Sequence, residues 1–342
     1  MAIAVLGIDL AKNVFALHGV DETGKPALVR ANVARDRLLE LVTALPPCLI
    51  GLEACSGAHH WAREFLKAGH TVRLMAPKFV VPYRMSGKYG KNDATDAAAI
   101  CEAVTRPNMR FVPTKTSEQQ GQLMVHRVRQ SLVAQRTATF NRIRGLLAEL
   151  GIVLAPGANT VRRDAVRHLP TLPSWAATVA ADLLDEVTRL DERISQYDHH
   201  IVNMARENTA AQQLMRLDGI GKTTATAIVS TLGDGRDFAN GRQFAAWLGL
   251  VPRQYSSGGK PRLGRITRTG DAYLRGLLVM GAKAVLAAAT KAPPGRPRTL
   301  GRWACAVAER RGYWRAVIAI AAKNARLSWA VLQRGPAFVG PD

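Results

Sequence analysis

Through the first hundred residues, short apolar runs of the kind that build strands alternate with stretches of helical spacing. Residues 3–10 (IAVLGIDL) and 14–20 (VFALHGV) are two such runs. The second is followed by Asp21-Glu22-Thr23-Gly24-Lys25, which has hairpin-turn chemistry, and by a third run at 27–33, so a three-strand meander is predicted. Residues 36–45 carry Leu38, Leu39 and Val42 at helical spacing and stop at Pro46-Pro47. A buried-strand candidate at 48–52 comes next, then a helix near 58–68 closed by Gly69, a strand at 71–75 and a helical pattern from 92 to about 104. Three meander strands, then helix, strand, helix, strand and helix predict an α/β domain with a mixed sheet, in the order of an RNase H-type fold.

Beyond that point the pattern turns helical. Residues 116–150 read as one long helix with few breakers, and 151–173 as a connector containing Pro and Gly. A second long helix carries Val187, Leu190, Ile194, Tyr197, Ile201 and Met204 at alternating spacings of three and four, an a/d seam of a coiled coil. The seam fits antiparallel pairing with the 116–150 helix as the plainer reading, with a dimer contact as the alternative. Next, Leu217-Asp218-Gly219-Ile220-Gly221-Lys222 precedes a helical stretch at 223–232. Glycines on either side of an apolar residue resemble a helix-hairpin-helix turn, where backbone N–H groups near Gly219, Gly221 and Lys222 approach a phosphate; a plain packing turn has the same pattern. Residues 243–250 are apolar and helical in spacing. The fold expected is α/β plus α: a mixed-sheet domain over 1–110, long helices with a connector over 111–210, and a mainly helical domain over 211–342.

Charge sharpens this division. The chain has 342 residues, 47 Lys plus Arg against 26 Asp plus Glu, and a formal net charge of +21. Residues 1–100 are near balance with 12 basic and nine acidic residues, so the surplus lies in the rest. Two windows concentrate it: 253–276 has six basic residues opposed by Asp271 alone, and 291–326 has nine opposed by Glu309 alone. A single charge run is commonly a solvated face, but two in one half of a chain point to phosphate contact, hence to nucleic acid. At 47% hydrophobic residues the chain can build cores, which excludes wholesale disorder. Cys48, Cys55, Cys101 and Cys305 show no metal-ribbon spacing and suggest reduced thiols. The start lacks a basic leader, and the longest apolar stretch, 276–290, is interrupted by Lys283. A soluble intracellular protein without a membrane partner is expected, working in the cytoplasm.

Two constellations carry candidate chemistry. Asp9 and Glu53 each end an apolar strand run, and Asp93 and Asp96 sit three apart where a helix begins. A carboxylate at the end of a buried strand is costly without compensation. The topology can gather all four at one pole of the domain, where they repel unless divalent cations hold them. Mg²⁺ suits such a set, since it takes oxygen ligands and keeps sites for phosphate. Taken alone, Asp93 and Asp96 also fit a helix N-cap with a first-turn charge. The second constellation is Arg253-Gln254-Tyr255-Ser256-Ser257-Gly258-Gly259-Lys260, continuing to Arg262, Arg265 and Arg268. A hydroxyl among guanidinium groups suits phosphoryl transfer from a serine, and glycine lets the backbone come close; a flexible basic loop is the plainer alternative.

With GIDLAKN, LEACSGAHHWARE, KNDATDAAAI, LDGIGKTTATAI and FAAWLGLVPRQYSSGGKPRLGRITRTGDAYLR in order along the chain, the sequence resembles the DEDD transposases of bridge-RNA-guided insertion sequences, the one-ten family and its histidine-containing branch. The resemblance spans nearly the whole chain. It implies a RuvC-like domain, a coiled-coil insertion and a C-terminal transposase domain. It further implies Asp9, Glu53, Asp93 and Asp96 as a Mg²⁺-binding tetrad and Ser257, rather than its neighbour Ser256, as the nucleophile that forms a 5′-phosphoserine-type intermediate with DNA. Acids of one subunit and serine of another are expected to build the site, so a dimer or tetramer is implied. The implied partners are double-stranded donor and target DNA and a structured non-coding guide RNA. The alternatives are a Mg²⁺-dependent, junction-resolving type of nuclease in which water attacks, and a basic architectural binder without catalysis.

Overall fold

The computed structural model describes residues 2–84, 93–292 and 299–335, and the chain divides into two compact units, Met1–Glu118 and Gln119–Asp342. In the first unit β1 (Val5–Asp9), β2 (Val14–Val20) and β3 (Pro26–Ala34) form the antiparallel meander. Asp21 closes its first turn: Oδ1 accepts from the Thr23 and Lys25 N–H groups, and Gly24 takes the left-handed φ of +81°. The chain continues through α1 (Arg35–Thr43), β4 (Leu49–Glu53), α2 (Ala58–Lys67) and β5 (Thr71–Met75). After a short α3 (Pro77–Val80) and a 3-10 turn over Val81–Tyr83 come α4 (Asp93–Val104) and β6 (Phe111–Val112). The sheet order is β3-β2-β1-β4-β5-β6, with β1, β4 and β5 parallel and the outer pairs antiparallel. This mixed sheet is consistent with an RNase H-like domain, as the sequence pattern predicts.

Strand alternation divides the residues between two faces. Leu6, Ile8, Ile50 and Leu52 point into a core with Leu38 and Val42 of α1 and Trp61 and Phe65 of α2. On the other face Gly7 and Gly51, register partners across β1 and β4, leave the sheet bare. Helix α4 fills that bare patch with its backbone: a Cβ at Gly7 would lie 2.3 Å from the Ala97 carbonyl oxygen and 2.4 Å from the Cys101 nitrogen. A Cβ at Gly51 would lie 2.8 Å from the Val104 Cβ. Asp9 and Glu53, two residues beyond these glycines, therefore share the face on which α4 lies.

The second unit is helical apart from one small ribbon. Helix α5 (Ser117–Ala148) begins at the unit boundary and is followed by α6 (Ala158–His168) and α7 (Ser174–Glu207). The stretch 151–173, expected as a plain connector, thus contains a helix. Its sequence shows little periodicity because only Val161 and Ala165 of α6 are buried. Helices α5 and α7 pair antiparallel within the chain. Leu132 meets Leu190 and Ile194, while Phe140, Ile143 and Leu147 meet Leu184 and Val187. Ion pairs Arg129–Asp198, Arg136–Asp191 and Arg142–Glu186 run down the pair in the same sense. Of the two readings of the seam, the intramolecular one is present.

A larger core is built by α8 (Thr209–Leu214), α9 (Lys222–Leu232), α10 (Gly241–Trp247), α11 (Ala272–Lys291), α12 (Thr299–Arg311) and α13 (Tyr313–Arg334). Between α10 and α11, β7 (Pro252–Gln254) and β8 (Leu263–Ile266) form a hairpin where the sequence shows only a basic loop. Every residue from 252 to 265 is exposed, so there is no inside–outside alternation to read. Helix α11 is long and apolar enough to cross a membrane by length and composition. Its stripe Leu274, Leu278, Ala282 and Leu286 is buried in the helical core.

Candidate active site

The acids converge in the first unit through the glycine patch. Asp9 and Glu53 close the neighbouring parallel strands β1 and β4 at the same edge of the sheet. Because α4 lies directly on Gly7 and Gly51, its first turn, with Asp93 and Asp96, is carried to that edge. Glu53 is 8% exposed and Asp96 5% exposed, whereas Asp93 faces solvent. Asp96 is therefore more than a first-turn surface charge.

An arginine not singled out by the sequence sits among them. Arg84 Nη2 donates to Glu53 Oε1 at 2.9 Å, and Arg84 Nε lies 3.1 Å from Asp96 Oδ1. The second contact is an ion pair without hydrogen-bond alignment, and Nε is buried with no hydrogen-bond acceptor. Burial, followed by the charges of Asp96, Glu53 and Asp93, pushes the Asp9 carboxyl up to about 6, with Arg84 acting in the opposite direction. Asp9 thus resists ionisation beside two carboxylates that share a single guanidinium charge.

Among the described residues no group of three or more His, Cys, Asp or Glu side chains stands as a ready-made metal cage. The donor set is still that of a hard divalent cation: carboxylate oxygens alone, with the Arg84 charge already beside Glu53 and Asp96. Asp9, Glu53, Asp93 and Asp96 are the residues that would hold such an ion.

The serine constellation belongs to the second unit. Ser257-Gly258-Gly259-Lys260 forms a two-residue turn in which Lys260 N–H donates to the Ser257 carbonyl at 3.0 Å. Gly258 and Gly259 have φ of +54° and +75°, the left-handed pair that a type I′ hairpin demands. The two serines differ sharply. Ser256 Oγ accepts from Gln254 Nε2 at 2.9 Å and from the Arg262 N–H at 3.1 Å, bracing the hairpin. The Ser257 hydroxyl, exposed at the tip, makes no hydrogen bond to any described residue. Arg253, Lys260, Arg262, Arg265 and Arg268 are exposed around it, and none pairs with an acid among the described residues.

The base of the hairpin, by contrast, is clamped. A Cβ at Gly249 would meet the Thr269 nitrogen at 2.4 Å, and one at Gly270 the Trp247 carbonyl oxygen at 1.9 Å. Arg275 Nη1 donates to the Leu248 and Thr269 carbonyls at 2.9 and 2.8 Å. Of the turn before α9, Gly221 and Lys222 are exposed at the helix start, whereas Gly219 lies against α11. A Cβ there would be 2.7 Å from Val285 Cγ2 and 2.8 Å from the Gly281 carbonyl oxygen, so chain packing accounts for Gly219 without a ligand.

Known proteins are similar to this chain over both segments. The DEDD transposase profile of the IS110 group matches residues 6–152, and the profile described as Transposase IS116/IS110/IS902 family matches residues 211–296. A probable family 20 transposase of Pseudomonas aeruginosa is 43% identical over 98% of both chains. The chain belongs to the IS110 family of transposases. The transposase for insertion sequence element IS1111A of Coxiella burnetii is 39% identical, over 97% of this chain and 90% of its own. A pilin gene-inverting protein of Moraxella lacunata is 25% identical over 58% of this chain and 53% of its own. This is an enzyme that cleaves and joins DNA, and the two matched segments contain the acid cradle and the serine hairpin respectively.

Proposed function

We propose that this transposase, in the bridge-RNA-guided, histidine-containing branch of its family, cleaves DNA by attack of the Ser257 hydroxyl on a backbone phosphate. The Ser257 Oγ–P bond forms as the bond from phosphorus to the 3′ oxygen breaks. The serine proton leaves with a base, the 3′ oxygen departs as a hydroxyl, and the 5′ phosphate stays on the enzyme. Attack by a 3′ hydroxyl from the exchanged strand reverses these steps and frees the serine. Bond energy is conserved in the ester, so no nucleotide cofactor is needed. Arg253, Lys260, Arg262, Arg265 and Arg268 stabilise charge on the phosphate, with Gly221 and Lys222 as a further backbone contact. Asp9, Glu53, Asp93 and Asp96 hold Mg²⁺, which when bound supplies Lewis-acid stabilisation of the same phosphate.

The division of labour keeps 1–110 for the acids, 111–210 as spacer helices and 211–342 for the serine. Acids and serine come from different subunits of a dimer or tetramer, and a structured RNA selects donor and target DNA, leaving backbone and shape to the protein. The observation that supports this reading most is the contrast at the hairpin tip: Ser256 is engaged in bracing, and Ser257 is exposed and unbonded among unpaired cations.

The test is cleavage of element-end DNA by Ser257→Ala and Ser256→Ala proteins carrying their RNA. Ser257→Ala is expected to lose cutting and the protein–DNA adduct together, and Ser256→Ala to retain both at a reduced rate. Cutting that persists in Ser257→Ala without an adduct would establish the hydrolytic nuclease instead.

A further inference from the structure

We infer that Arg84 is the resident counter-cation of the acid cradle: it holds Glu53 and Asp96 together in the metal-free protein and leaves them when a divalent cation takes its place. The inference rests on the metal-binding reading above. Four carboxylates brought to one sheet edge by the α4 packing need a positive charge, and the cation found between two of them is Arg84. A guanidinium cannot relieve the conflict with an incoming metal by losing its proton, so it must move.

Its geometry is that of an exchangeable contact. Strong arginine–carboxylate pairs use two parallel N–H bonds to one carboxylate. Arg84 instead divides itself between two acids, with one aligned bond to Glu53 and an unaligned approach to Asp96 that leaves its Nε–H without an acceptor. Arg84 follows the 3-10 turn at the sheet edge and its side chain is 29% exposed, which gives it a way out towards solvent. In this role Arg84 is a positioning residue. It sets the divalent concentration at which the cradle loads and guards the acids from mutual repulsion until then.

The experiment is calorimetric titration of Mn²⁺ into the metal-free, full-length protein, comparing wild type with Arg84→Gln and Arg84→Lys. Removing the competing charge is expected to tighten Mn²⁺ binding by about tenfold or more in Arg84→Gln. Arg84→Lys should stay close to wild type, because it retains the charge. In the wild type, the Arg84 Nε–H resonance should lose its protection from solvent exchange as Mg²⁺ is added. That readout does not depend on whether a variant folds. Equal or weaker Mn²⁺ binding by folded Arg84→Gln, or an Arg84 resonance unmoved at saturating Mg²⁺, would overturn the role of Arg84 and leave the metal site standing. Absence of Mn²⁺ binding by all three proteins would overturn the metal reading and this inference with it.

Discussion

The acid cradle and the serine hairpin solve opposite problems. The cradle is set by packing: two strands end side by side, two glycines admit a helix backbone, and the carboxylates are carried to one edge of the sheet. The hairpin has exposed residues on both faces, and its order comes from a clamped base, a left-handed glycine pair and the Ser256 brace. A two-stranded ribbon on its own is marginal in water. On the proposed reading, the groups that would hold a cation are built against a core, while the hydroxyl that would reach a phosphate stands exposed beside cations that pair with no acid among the described residues. Burial has electrostatic consequences as well. The exposed hairpin leaves its charges solvated, but the cradle drives Asp9 up to about 6.

The comparison is broken most severely at the cradle's chemistry. Asp9→Asn should cut DNA cleavage by on the order of 10³-fold or more, as losses of groups that act as a unit do. It should do so without unfolding the protein, which thermal melts of the same sample would check.

Next in size is the packing beneath it. Gly7→Val places side-chain atoms against the Ala97 and Cys101 backbone, and should destabilise the first unit by about 3 kcal/mol or more in urea unfolding. An exposed hairpin substitution such as Arg262→Ala should stay within about 0.5 kcal/mol.

Acid separates the two units by sign. His126 on α5 is fully buried, with Nδ1 3.0 Å from the Tyr273 hydroxyl and Nε2 3.1 Å from Thr226 Oγ1. Thr226 donates its own proton to the Lys222 carbonyl, so the imidazole donates from Nε2 and accepts from Tyr273 at Nδ1. Burial pushes the imidazole down to about 4. The unfolded chain binds the extra proton first, so the second unit holds full stability above about 6.5 and loses it as pH falls through about 4. The loss amounts to about 3 kcal/mol. Asp9 has the reverse sign: its protonated form stabilises the metal-free first unit fully below about 3.8, and that contribution is lost as pH rises through about 6. After allowing for solvent screening at this half-buried group, about 1 kcal/mol remains. Hydrogen exchange followed peptide by peptide between pH 6.5 and 4 should therefore show protection falling in the α5, α9 and α11 peptides and rising in those of β1 and β4. A common direction in both units would contradict the assignment.

The mildest effect on cleavage is expected at the hairpin tip. Gly258→Ala forces a Cβ into a left-handed turn and should cost about 1 kcal/mol of local order. It should slow cleavage by a few-fold without changing the melting temperature.

Much of this was legible in the chain because burial writes periodicity. The meander, β4, α2, β5 and α4 alternate against a core, and the a/d seam of α7 records its pairing with α5. The polar α6 and the fully exposed β7 and β8 bury too little to leave a pattern. Asp9 and Glu53 stood out as charges closing apolar runs, and Asp93 and Asp96 as an i, i+3 pair. Gly7 and Gly51, isolated within strand runs, were not singled out from the sequence, although a lone glycine in a strand can mark close backbone approach. Arg84 carries no such mark, since nothing in its local sequence distinguishes it from any surface arginine, and only the tertiary fold brings it to Glu53 and Asp96. The brace that engages Ser256 likewise has no local signal, because its hydrogen bonds from Gln254 and Arg262 close across the hairpin.

The central claim is that one hydroxyl and the acid cradle act on the same phosphate. The direct measurement is mass spectrometry of the peptide left attached to DNA after the full-length protein and its RNA react with a nicked element-end substrate that traps the cleaved strand. The account predicts one adduct, a phosphate ester on Ser257, abundant in wild type and absent from Asp9→Asn. An adduct on another residue, or undiminished Ser257 adduct in Asp9→Asn, would contradict it.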